Sequence, residues 1–373
     1  MSLEVVIDAA PTITIAIVLA LTAVSVAVYH YWAGGNDDIK SVKAEKASGA
    51  EIAASTENEL HVKPVSVNYF ITRRCNYECR FCFHTEKVNP LYGPTPHASE
   101  ADAKIVLRKL ADAGMRKLNF SGGEPFLYHR LLGELCRFAK VDLKLESVSI
   151  VSNGSRIKQQ WLEEFGRPYV DMIALSIDSA NSDTLEEIGR RERGGRGTSY
   201  HLPQAKQVAA WIREAGIELR VNTTVTAKSV DEDMNDLIDA LQPKRWKVFQ
   251  MLLVSGENWG PDQVNGRDAS DLVLSRDDFQ RFLDRHARQP NLIAEDNDTM
   301  RNSYLLLDEG LRFLNCEQGN KVPGPCLLDH NVTVAGAIAH SGFDAASFQH
   351  RSGVYDWSKR GSGAKKCAGV LDW

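Results

Sequence analysis

Val65-Ser-Val-Asn-Tyr-Phe-Ile-Thr72 is a run of β-branched and aromatic residues, and after two arginines it is followed by Cys75-Asn-Tyr-Glu-Cys79-Arg-Phe-Cys82. The first part has the composition of a short strand. The second holds three of the chain's 7 cysteines. Thiolates at i, i+4 and i+7 on the loop after a strand can converge on one soft metal centre. Two chemistries compete for them. A closed zinc site needs a fourth ligand, which His84 could supply. An iron–sulfur cluster on three cysteines instead keeps one iron open to an exogenous ligand. Cys136, Cys316, Cys326 and Cys367 are scattered without metal-binding spacing, and an odd, uneven set of this kind does not build a secreted disulfide framework.

Downstream, strand and helix patterns alternate. Ser99–Ala113 has helical spacing, Lys117–Phe120 reads as strand, His129–Lys140 as helix, Val148–Val151 as strand, Arg156–Phe165 as helix and Asp171–Ile177 as strand. Leu202–Ala215 follows as helix, Ile217–Thr226 as strand, Asp231–Leu241 as helix and Trp246–Val254 as strand. Six strands, each but the last followed by a helical segment, predict right-handed βαβ units in a parallel sheet. Six units are too few for an eight-unit barrel. The expectation is therefore an α/β fold, a partial (βα)6 barrel over residues 63–254. Residues 255–373 lose the alternation and are expected to form a C-terminal extension that completes the substrate pocket.

The amino-terminal part reads differently. Ala9–Tyr29 carries no charge and is long enough, at 1.5 Å per residue, to cross a hydrocarbon core of about 30 Å. Tyr29, Tyr31 and Trp32 supply an aromatic belt, so residues 1–33 are expected to be a transmembrane anchor. Lys40, Lys43 and Lys46 follow the run and none precedes it, which places the remainder in the cytosol. Residues 34–62, rich in Ala, Gly, Ser, Glu and Lys, read as a flexible tether. The 373-residue chain has a net charge of −5, which argues against a nucleic-acid coat.

Strand alternation gives a separate clue to the substrate. Residues at i and i+2 share a face, and Asn68, Lys117 with Asn119, Arg220 with Asn222, and Arg245 with Lys247 are interleaved with the apolar Leu118, Val221 and Trp246. The apolar set belongs against the helices, so the polar set lines the interior. Lysines and arginines gathered there are costly unless an anion joins them. A triphosphate meets that need.

The spacing Cys-x3-Cys-x2-Cys, with Phe81 before the last cysteine, resembles that of the radical S-adenosylmethionine (SAM) enzymes. Gly122-Gly123-Glu124-Pro125 at the end of the second strand resembles their segment for the SAM amino group. Within that group, Ser66-Val-Asn-Tyr, Asn119-Phe-Ser-Gly-Gly-Glu-Pro-Phe-Leu, Arg245-Trp-Lys-Val-Phe-Gln, Arg312-Phe-Leu-Asn-Cys316 and Leu371-Asp-Trp373 make residues 63–373 similar to the viperin-like antiviral nucleotide dehydratases. The resemblance implies a [4Fe–4S] cluster on Cys75, Cys79 and Cys82, with SAM as the second cofactor. It implies SAM contacts from Phe81, Gly122, Gly123, Glu124, Ser152, Ser176, Arg190 and Asn222. It also implies substrate contacts from Asn68, Lys117, Arg220, Arg245, Lys247, Tyr304 and Arg351, with Tyr304 at the catalytic centre. Arg220 stands where the vertebrate pattern has lysine.

The implied reaction takes a nucleoside triphosphate, CTP or UTP, to its 3′-deoxy-3′,4′-didehydro analogue by 4′-hydrogen abstraction and loss of the 3′-hydroxyl. The implied partners are a reductant protein and the cytosolic iron–sulfur assembly machinery, engaged through Trp373. The implied location is the endoplasmic reticulum membrane, held through residues 9–32, with the catalytic domain facing the cytosol. Two rival readings are a radical SAM enzyme on another anionic substrate and a membrane-anchored adaptor with a structural metal.

Overall fold

In the computed structural model, which describes residues 62–86, 88–89, 93–94, 97–195, 197–261, 267–351 and 353–354, the first strand forms where the β-branched run places it. Strands β1 (Ser66–Phe70), β2 (Lys117–Ser121), β3 (Ser147–Ser152), β4 (Met172–Ser176), β5 (Glu218–Val225) and β6 (Arg245–Gln250) follow each expected run within a few residues. They lie side by side in chain order and all pair in parallel. The crossovers carry helices α1 (Glu100–Asp112), α2 (His129–Arg137), α3 (Ser182–Glu187), α4 (His201–Glu214) and α5 (Asn235–Leu241). Between β3 and β4 the chain makes only short helical turns, Gln159–Trp161, Leu162–Gly166 and Arg167–Tyr169.

Helix α1 shows how sequence sets an element. Ser99 caps it by accepting the Asp102 N–H, and Ala103, Val106, Leu107 and Leu110 form one buried stripe at helical spacing. That stripe joins Val67, Tyr69, Leu118 and Phe120, the outward-facing residues of β1 and β2, in a continuous core between sheet and helices. Their neighbours Ser66, Asn68, Lys117 and Asn119 are only partly buried and face the other way, onto a cavity.

The carboxyl-terminal third changes the architecture. It adds β7 (Leu292–Glu295) in parallel to β6 and β8 (Leu305–Leu307) in parallel to β1, so the extension supplies strands to both margins of the sheet. Strands β9 (Arg312–Asn315) and β10 (Val322–Cys326) continue antiparallel beyond β8, giving the order β10-β9-β8-β1-β2-β3-β4-β5-β6-β7. Helices α6 (Arg276–Arg285), α7 (Val334–His340) and α8 (Ala345–His350) accompany them. The partial barrel thus contains more strands than the six expected, because β7 and β8 are too short to show a period.

The expectation of a membrane-spanning helix is corrected. Among the described residues no helix is long and apolar enough to cross a membrane, and residues 1–33, on which that expectation rested, lie outside them. The anchor, the membrane partnership through residues 9–32 and the endoplasmic reticulum placement are accordingly withdrawn. Trp373 also lies outside the described residues.

Candidate active site

Strand register assembles the polar interior. Pairing of β1 with β2 sets Asn68 beside Asn119, and pairing of β2 with β3 sets Asn119 beside Ser149. Asn119 donates to Asn68 at 2.9 Å and accepts from the Ser149 hydroxyl at 2.8 Å. On the other side, Arg220 is level with Arg245, and Asn222 lies between Ser176 and Lys247. These residues, with Lys117, line one cavity of about 800 Å³. Because the strands are parallel, their carboxyl ends share a rim, where Cys75, Cys79, Phe81, Cys82, Gly122, Gly123, Ser152 and Ser176 meet the same cavity.

The cysteine loop is clamped from two directions. Glu78 N–H donates to the Arg191 carbonyl at 3.2 Å and Arg80 N–H to the Ile188 carbonyl at 2.9 Å, tying the loop to the segment after α3. From the β2 side, Gly123 N–H donates to the Thr72 carbonyl at 2.7 Å and Glu124 N–H to the Arg74 carbonyl at 2.8 Å. This approach explains the glycine pair. A Cβ at Gly122, whose φ is +130°, would stand 2.4 Å from the Thr72 oxygen, and one at Gly123 would stand 2.0 Å from the Arg74 oxygen.

Glu124 is the one expected residue not on the cavity wall. It is fully buried and accepts from Phe126 N–H at 3.0 Å, the Ser152 hydroxyl at 2.8 Å and Asn153 N–H at 2.8 Å. Burial raises its carboxyl pKa, while these donors oppose the rise. In this arrangement it fixes the β2 and β3 rims to each other.

Arg190 is not a solvated loop residue. It is buried, with Nη2 donating to the Ser176 carbonyl at 2.6 Å, Nε 3.0 Å from the Asp178 carboxylate and Nη1 donating to the Cys79 sulfur at 3.2 Å. Burial pushes the Cys75 and Cys79 thiols up, and the Arg190 charge pulls Cys79 back.

The residues present fit a cluster better than a zinc ion. Among the described residues no three Cys, His, Asp or Glu side chains group closely enough to hold a single metal ion. A cluster asks for less convergence, because each thiolate takes a separate iron. The candidate fourth zinc ligand is engaged elsewhere: His84 Nε2 is 3.4 Å from Glu309 and its Nδ1 is 2.9 Å from Lys321 Nζ. Three thiols on one loop would therefore hold the cluster, leaving one iron without a protein thiolate.

Toward the other end of the cavity, Lys247 pairs with Glu295, and Tyr304 donates its hydroxyl to the same carboxylate while accepting from Lys247 at 3.1 Å. The Arg351 guanidinium stacks 3.8 Å from the Tyr304 ring centre and lies 3.8 Å from Glu295. Burial works against the Glu295 charge, yet Lys247 and Arg351 hold its carboxyl below the usual range. Burial and the same carboxylate raise the Tyr304 phenol. Arg220 pairs with Glu218 at 2.6 Å. Among the described residues, Glu295 and Glu218 thus partly compensate the basic interior.

Glu295, Glu218 and Asp178 are site residues that the sequence reading missed. Glu218 was within reach, since it lies two positions before Arg220 on the same strand face. Glu295 ends a four-residue strand in a region without periodicity, and nothing in Ile177-Asp178 marks a buried partner for Arg190.

Comparison with known proteins fits this geometry. The pattern of the Radical SAM superfamily matches residues 69–241. The chain is 45% identical over 301 residues to the S-adenosylmethionine-dependent nucleotide dehydratase RSAD2 of Siniperca chuatsi, covering 79% of this chain and 80% of that protein. It is 43% identical over 330 residues to the protein of that name in Danio rerio, covering 86% and 87%. An S-adenosylmethionine-dependent nucleotide dehydratase of a Thermoplasmatales archaeon is 34% identical, covering 70% and 86%. Among solved structures, Streptococcus suis SuiB bound to S-adenosylmethionine superposes with a TM-score of 0.52 at 18% identity, covering 81% of this chain and 71% of that one, a likeness of fold alone. By this kinship, which spans most of both chains, the protein belongs to the S-adenosylmethionine-dependent nucleotide dehydratases of the radical SAM superfamily.

Proposed function

We propose that the nucleotide this radical SAM dehydratase acts on is a triphosphate, CTP or UTP, held by its phosphates on Lys117, Arg220, Arg245, Lys247 and Arg351 with its ribose toward the thiol rim. The observation that carries this reading is that the inward basic residues and the three thiols line a single cavity of about 800 Å³. Cys75, Cys79 and Cys82 would hold the reduced cluster, which together with SAM would supply the hydrogen-abstraction chemistry at the ribose 4′ position.

The remaining work falls to the chain's own residues. The basic set fixes the triphosphate, which sets where the ribose lies. Asn68, held by Asn119 and near the Leu305 carbonyl, offers an amide to the sugar side of the cavity. SAM would lie against the Gly122–Gly123 rim, with Phe81 on the same cavity wall beside Cys82. Tyr304, bonded to both Glu295 and Lys247, is placed to pass a proton between that carboxylate and the substrate. Loss of the 3′-hydroxyl leaves a nucleotide that a polymerase cannot extend, and an antiviral role follows from that chemistry.

The test is direct. The full chain is reconstituted anaerobically with iron and sulfide, supplied with SAM and dithionite, and 5′-deoxyadenosine release is compared for CTP, UTP, GTP, ATP and no nucleotide. Strong stimulation by CTP or UTP is expected. SAM cleavage that no nucleotide stimulates would remove the triphosphate from the reading and leave the cluster chemistry standing.

A further inference from the structure

We propose that Arg190 is a positioning residue for the cluster itself, acting through the Cys79 sulfur, rather than a SAM contact alone. This rests on the reading of Cys75, Cys79 and Cys82 as cluster ligands. Three observations carry it. The Arg190 guanidinium donates to the Cys79 sulfur at 3.2 Å, and Cys79 is the most buried of the three thiols, 6% exposed. The guanidinium is locked in that direction: Asp178 holds Nε at 3.0 Å and the Ser176 carbonyl takes Nη2 at 2.6 Å, while the Tyr77 ring lies 5.6 Å from its centre. Finally, the segment that carries Arg190 is bonded through its backbone to the cysteine loop on both sides of Cys79, at Glu78 and Arg80, so donor and sulfur are held in a fixed relation.

A hydrogen bond from a cation to a cluster sulfur favours the state with more negative charge on iron and sulfur, which is the reduced state. In a buried setting the effect is weakly screened. Arg190 therefore makes the bound cluster easier to reduce. Its remaining N–H groups leave it able to meet a SAM carboxylate as well, but the contact to Cys79 exists without SAM.

The experiment measures the cluster's midpoint potential by EPR-monitored redox titration of the reconstituted full chain with no SAM present. It compares the natural protein with Arg190→Met and Arg190→Lys, with iron and sulfide per chain determined for each. Arg190→Met is expected to load its cluster and to shift the midpoint to more negative potential, with Arg190→Lys between the two. An unmoved midpoint in loaded Arg190→Met, with SAM affinity weakened, would assign Arg190 to SAM alone and overturn the proposal. If Arg190→Met does not retain a cluster, Arg190→Lys decides: it keeps the charge but loses the fork, and a midpoint equal to the natural protein's overturns the proposal. Absence of any cluster in the natural protein would instead sink the underlying reading.

Discussion

His201 shows at the scale of one residue how the site's surroundings set acid stability. It opens α4, is 4% exposed, and its Nδ1 lies 3.2 Å from the Tyr77 hydroxyl inside the cysteine loop. Burial first, and then the Arg190 charge, depress its pKa from 6.5 to about 3. The unfolded chain takes up the proton near 6.5 and the folded one near 3, so between those values the unfolded state binds more protons. The stability that His201 contributes is therefore complete above 6.5 and is lost as pH falls toward 3, with a slope of up to about 1.4 kcal/mol per pH unit. Replacing it by phenylalanine removes that slope. Denaturant titrations between pH 6.5 and 4.5 are expected to show the His201→Phe protein losing stability less steeply by about 1 kcal/mol per pH unit. Parallel curves would mean that the histidine titrates normally in the fold.

At the scale of elements, the two strands supplied by the carboxyl-terminal third meet across the cavity through side chains. Glu295 ends β7 on one side of the six central strands, and Tyr304 immediately precedes β8 on the other. Their hydrogen bond, with Lys247 and Arg351 gathered on the same carboxylate, links β7 to the start of β8. Glu295→Gln leaves two half-buried cations without their counter-charge, and the expected loss is about 2 kcal/mol in the nucleotide-free protein. A triphosphate would restore much of it. The rise in melting temperature on adding CTP is accordingly expected to be larger in Glu295→Gln than in the natural protein, and equal rises would show that the nucleotide does not use these cations.

These two strands are also where reading the sequence ran out. The six central strands were legible because strand-like runs alternate with helical patterns, and the Asn68, Lys117, Arg220 and Lys247 rows were legible because a strand's period is two. Leu292–Glu295 and Leu305–Leu307 are too short to display any period, and only pairing with β6 and β1 makes them strands. Arg190 was legible as a candidate, but its burial depends on α3 and the cysteine loop closing around it. Long-range contacts of that kind leave no local mark in the chain.

Across the whole molecule, the carboxyl-terminal extension and the cysteine loop are joined by a buried charged network. Arg73, two residues before Cys75, lies 2.7 Å from Glu309 and 3.1 Å from Glu257. Thr85 donates to Glu257 from its backbone and hydroxyl at 3.0 and 2.9 Å, and Lys321 reaches His84 at 2.9 Å. Both limbs of the loop are thus held by residues from the last third of the chain. Removing one charge strands the others in a low-dielectric interior. Glu309→Gln is expected to cost about 3 kcal/mol of stability and to release iron to a chelator faster than the natural protein. Unchanged iron release at a lowered melting temperature would separate the network from the cluster.

The order of the strands has a consequence for how the protein is made. Cys75, Cys79 and Cys82 leave the ribosome early, but Glu257, Glu309 and Lys321, and the strand β8 that flanks β1, are translated much later. At synthesis rates of about 5–20 residues per second, the thiols exist for on the order of ten seconds or more before the residues that hold both limbs of their loop. Metal delivery during translation would meet a loop not yet tethered at either limb, whereas delivery to the finished chain meets thiols set in the cavity wall.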